Sequence, residues 1–80
     1  MLLLYGIRHA WPEQAGFCLN RRKGYPGYSF VHFLTSVEIV IDGVRTVAPN
    51  HACIIYAPGT PQYFIARQPL VHDWFHFSEM

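Results

Sequence analysis

The chain has 80 residues, 51% of them hydrophobic and 14% charged, with a formal net charge of +1. That balance excludes a disordered chain and leaves room for a single domain. The near-zero charge supplies no strong field to hold a phosphate backbone, so nucleic acid is not an expected direct partner. A domain of this size buries only about 60 to 65% of its unfolded surface, which makes oligomerisation an expected source of stability.

The opening MLLLYGI is apolar for about six residues, far short of the roughly 20 that span a bilayer, and reads as a strand over 2–5. Prolines and glycines then recur too often for any helical apolar period, and the expected fold is nearly all β. A second strand is expected over 15–19 and a third over 28–35, on which Tyr28, Phe30, His32 and Leu34 share a face. The clearest local signal is SVEIVIDGVRTV. Asp42 and Gly43 fit the two left-handed positions of a type I′ turn. Pairing Ile41 with Val44 sets Val37, Ile39, Ile41 and Val44 on one face, and Glu38, Val40, Arg45 and Val47 on the other. Glu38 and Arg45 become diagonal neighbours. ACIIYA is a continuous apolar strand, PGTP ends it, and further strands are expected over 62–66 and 70–77. Eight short strands at this spacing point to a sandwich or barrel.

In the last strand, alternation sends His72, Trp74 and His76 one way, while Val71, Phe75 and Phe77 supply a core on the other. Turned into a barrel, the first set forms a pocket suited to a sugar, with an indole to stack on and polar walls. The plainer alternative places Trp74 in the core and the histidines toward solvent. His72 and His76 are separated by about 13 Å along a strand, too far to share a metal, and there is no H-x-H. A three-ligand site drawn from distant parts of the fold stays open. NRRKGYPGY, at residues 20 to 28, is the one basic cluster. It is either a solvated loop or the source of an arginine, Arg21 or Arg22, whose fork reaches a ligand. Cys18 and Cys53 lie in apolar runs outside any C-x-x-C, and no secretory leader precedes them. A cytoplasmic setting with two buried thiols is the expectation. No G-x-S-x-G and no basic neighbourhood for a cysteine points to nucleophilic catalysis.

The order RRKGYPGYSFVHFLTS, VEIVIDGVRTVAPN, ACIIYAPGTPQYF and HDWFHF resembles the N-terminal ligand-binding and dimerisation domain of AraC-type transcription regulators. The likeness covers about residues 21 to 77. It implies a cupin-like jelly roll with no cofactor and no catalysis, in which His72 and Trp74 line a sugar pocket and Arg21 contacts the sugar. Phe64, with Tyr63 beside it, falls where an aromatic of arabinose-type members lines the pocket. Metal-dependent cupins carry an H-x-H and a Glu before the first hairpin and a His after the P-x-G. This chain offers only His32 in the first region and Gln62 in the second, and an amide is a poor ligand. The full candidate ligand set is Arg21, Tyr28, His32, Phe64, His72 and Trp74. Relatives of this type continue with dimerising helices and a DNA-binding unit, so DNA contact would come only through a part absent here. A shortened jelly roll of this kind would leave an unpaired edge at 70–77 that favours a homodimer. The competing readings are a small metal-dependent cupin enzyme using His32, His72 or His76, and a dimerisation module without a ligand.

Overall fold

The computed structural model describes residues 1–79. It contains eight strands and, among these residues, no helix: β1 (Leu2–Glu13), β2 (Cys18–Arg21), β3 (Tyr28–Phe33), β4 (Val37–Ile41), β5 (Val44–Ala48), β6 (Ala52–Tyr56), β7 (Gln62–Ile65) and β8 (Leu70–Glu79). They form two four-stranded sheets, ordered β1-β8-β3-β6 and β2-β7-β4-β5. Every strand pairing is antiparallel. No helix long and apolar enough to cross a membrane is found among the described residues.

The hairpin forms as its sequence dictates. Asp42 and Gly43 both adopt positive φ, 50° and 78°, and Ile41 pairs with Val44, Ile39 with Thr46 and Val37 with Ala48. Val37, Ile39 and Ala48 are buried, whereas Ile41 and Val44 project past the edge of the core near the turn. On the outer face Glu38 meets Arg45 at 3.3 Å and also Arg67 at 2.9 Å. Arg67, on the loop between β7 and β8, lies too far along the chain for local patterning to pair it with Glu38.

Between the sheets lie Val31 and Phe33 of β3, Val37 and Ile39 of β4, Ala48, Tyr56 of β6, Phe64, Ala66 and Leu70. Phe33 and Phe64 meet edge to face with ring centroids 5.1 Å apart, the arrangement that aligns a positive ring edge with a negative ring face.

Several expectations are corrected. β1 runs through residue 13 instead of ending at 5. Positive φ at Gly6 and Ala10 coincides with register shifts between Tyr5 and Arg8 and between Arg8 and Trp11. Such irregularities interrupt the period-two pattern by which a strand is recognised. The second strand begins at Cys18, three residues later than expected. Residues Val71, Phe75 and Phe77 are not core. They lie half-buried on the outer face, where Phe77 stacks on Tyr28 and Phe75 on Phe30, each pair at 4.8 Å. The strand over 70–77 is no open edge, because β8 is held between β1 and β3. Both thiols, Cys18 and Cys53, are exposed, since each points away from the core on a strand at a sheet edge.

Candidate functional site

A cavity of about 220 Å³ opens between the sheets. Its long wall is the inward face of β8, where His72 and His76 are buried and Trp74 between them is half-buried. Four of the six residues singled out in the sequence border it: Arg21, Phe64, His72 and Trp74. Phe64 also belongs to the core and is only 2% exposed, so it forms the floor.

Tyr28 and His32 do not reach the cavity. β3 buries Ser29, Val31 and Phe33, and strand alternation therefore turns Tyr28 and His32 outward. His32 instead joins an external chain. Its Nδ1 is 3.0 Å from Asp73 Oδ2 and its Nε2 is 3.2 Å from His51 Nδ1. The other Asp73 oxygen accepts from the Ala10 N–H at 2.7 Å and lies 2.8 Å from His9 Nδ1. The Ala10 N–H above all, with His32 and His9, holds the Asp73 carboxyl below the usual aspartate range. Among the described residues, no group of three His, Cys, Asp or Glu side chains is placed to hold a metal ion.

At one end of the cavity a directed hydrogen-bond chain runs from β2 to β8. Arg21 Nη1 donates to Gln62 Oε1 at 3.2 Å, and Gln62 Nε2 donates to Ser29 Oγ at 3.0 Å. Ser29 Oγ lies 2.9 Å from His76 Nδ1. A guanidinium has only donors, which orients the amide, and Ser29 Oγ, accepting from Gln62, shares a single proton with His76 Nδ1. Burial, and after it the Arg21 charge, lowers the His76 pKa against an opposing pull from the Tyr28 backbone.

Tyr25 covers the same imidazole, stacked at 3.8 Å and 4°, with the Arg21 guanidinium 5.4 Å from its ring centre. The loop that carries Tyr25 is docked rather than solvated. Gly24 N donates to Arg21 O and Gly59 N to Tyr25 O, both at 3.0 Å. Gly24 has φ of +70° and lies so close to the Gly59–Thr60 backbone that a Cβ would collide with it. The PGTP turn and the basic loop are thus one unit.

At the other end is His72, 4% exposed, among Phe17, Phe33 and Phe64. Neither of its ring nitrogens has a hydrogen-bond partner. Glu13 Oε1 is 3.6 Å from Nε2, beyond hydrogen-bonding reach. Burial lowers the His72 pKa, with Glu13 and then Asp73 pulling the other way. We read the ring as neutral at pH 7, with one donor and one acceptor both unmet. Between the two ends, Arg8 lies 5.7 Å from the Trp74 ring and 5.5 Å from that of Trp11.

Sequence patterning missed Ser29 and Glu13, and Gln62 entered only as a poor metal ligand. Ser29 carried a usable signal, because it alternates with Val31 and Phe33. Glu13 carried none, since β1 seemed to end before it.

No family model matches the chain, and no curated protein matches it. Solved structures do. The EutQ protein of Clostridium difficile superposes with a TM-score of 0.62 at 12% identity, over 79% of this chain and 45% of that one. The chain therefore spans less than half the length of EutQ. The Cupin_2 domain of an XRE-family transcriptional regulator from Enterobacter cloacae gives 0.64 at 14% identity, over 99% of this chain and 97% of that one. These identities speak to architecture, and an attachment to AraC-type regulators does not follow from them. With its two antiparallel sheets closed around a cavity, the chain has the cupin fold.

Proposed function

We propose that this chain is a ligand-sensing cupin domain of a cytoplasmic transcription regulator of AraC type, which takes a sugar or similar small polar metabolite without turning it over. The carrying observation is His72, a buried imidazole at the cavity wall with both nitrogens unpartnered. An orphaned buried polar group costs about 1 to 3 kcal/mol, and a bound molecule bearing hydroxyls would satisfy it. Trp74 offers the apolar face on which a sugar ring packs, and Arg21 offers spare donors. The regulatory setting is supported by the likeness to a domain of another transcription regulator. A homodimer is part of this reading, supported by the exposed apolar side chains of Leu2, Leu4 and Ile55. DNA would be contacted through a separate domain.

The test is a thermal-shift screen against pentoses, hexoses and uronic acids. Ligand at 100 times its dissociation constant stabilises the native state by about 2.7 kcal/mol. A shift that is lost in Trp74→Phe and His72→Leu supports the reading. Absence of any shift across the panel overturns it.

A further inference from the structure

Arg21 brings a cation to the cavity wall without an anion to match it. Its guanidinium donates to the neutral Gln62 amide and lies over the Tyr25 ring. No ion pair of Arg21 is found among the described residues. The acid that borders the cavity is Glu13. It sits at the far end, because Glu13 pairs with Leu70 whereas the chain from Arg21 terminates on His76. Six residues of strand separate those positions on β8, about 20 Å between their Cα atoms. The two charges do not neutralise each other.

The two ends therefore ask for different groups. Arg21 keeps free donors in a planar fork, whose best complement is the two oxygens of a carboxylate. At the other end, His72 needs both a donor and an acceptor, and Glu13 needs a donor. Hydroxyls of a polyol meet these requirements between them, one O–H donating to Glu13 and another to the bare nitrogen of His72, while a carboxylate there would be repelled by Glu13. The volume of about 220 Å³ is the liquid share of about seven waters and lies below the range of drug-sized pockets.

We infer that the ligand is a small polyhydroxy carboxylic acid, its carboxylate on Arg21 and its hydroxyls on His72 and Glu13. This rests on the cavity being a ligand site, and it fixes the chemical class and the direction in which the ligand lies.

The experiment compares matched acids and neutral analogues by calorimetry on the full chain: D-galacturonate against D-galactose, and D-glucuronate against D-glucose, with inorganic phosphate as a general anion. An acid should bind at least about 10-fold more tightly than its neutral partner, the size of one charge-assisted hydrogen bond. Arg21→Gln should erase that preference, and Arg21→Lys, which keeps the charge but loses the fork, should restore part of it. Circular dichroism checks that both variants fold. Galactose or glucose binding as tightly as its acid overturns the carboxylate while leaving a ligand site intact. Phosphate binding as tightly as the acids, or an unchanged preference in Arg21→Gln, also overturns it. If neutral and acidic compounds alike fail to bind, the ligand-site reading falls and the inference falls with it.

Discussion

Ser29 and His76 face each other across β3 and β8, hydroxyl oxygen to Nδ1 at 2.9 Å, and both are buried. The contact is the last link of a chain that starts at Arg21, at the end of β2, and terminates on an imidazole in the interior, so the guanidinium charge is felt there.

Removing that link should be costly. Ser29→Ala leaves Gln62 Nε2 and His76 Nδ1 buried without partners, and we expect a loss of about 1 to 3 kcal/mol. Urea denaturation measures it, and a loss under about 0.5 kcal/mol would contradict the chain as described.

His72→Leu should behave in the opposite way. Leucine fits among Phe17, Phe33 and Phe64 and brings no polar atom to satisfy, so stability is expected to hold or rise by about 1 kcal/mol. Binding of any polar ligand is expected to disappear. A fall of several kcal/mol in denaturant would show that the imidazole has partners after all.

Trp74→Ala separates a wall from a core. A fully packed tryptophan costs about 3 to 5 kcal/mol on truncation. Trp74 is half-buried beside the cavity, and about 1 to 2 kcal/mol is expected on the same scale. Chemical denaturation with matched m-values decides the matter.

Acid should weaken the fold in two stages. The pKa values of His72 and His76 are lowered in the folded state, so the unfolded chain binds protons more readily. Their contribution is intact above the unfolded histidine value of about 6.5 and is lost as pH falls from there through the folded values. Glu38 and Asp73 are also lowered, and their smaller, solvent-screened contribution is lost below about pH 4. Thermal unfolding between pH 8 and 3 records both stages. Because Arg21 helps to depress His76, Arg21→Gln should raise the His76 pKa in an NMR titration, whereas an unchanged value would remove Arg21 as a cause.

Much of the fold was legible where local chemistry decides it. Asp42-Gly43 set the turn, the turn set the register, and alternation assigned His72, Trp74 and His76 to one face. What alternation leaves open is which face is inside. Val71, Phe75 and Phe77 seemed the apolar side of β8, yet they stack outside on Tyr28 and Phe30. The face carrying two histidines is the interior one. Tyr28 and His32 were misplaced for the same reason, since Ser29 is a less obvious core residue than Phe30. The Arg21–Gln62–Ser29–His76 chain joins four strands distant in sequence, and only tertiary structure brings them together.

The central place of β8 has a consequence for how the chain acquires its shape. This strand, which pairs Leu2 with Glu79 at one edge and Tyr28 with Phe77 at the other, is the latest in sequence, yet its sheet is built around it. On a ribosome, β1 and the β3–β6 pair must wait for residues 70–79 before they can be joined. Pairings of such sequence separation form slowly, on the order of milliseconds to seconds. Until then the inward faces of β3 and β6 are bare, and this interval is when a nascent chain is most exposed to chaperones and to its own neighbours.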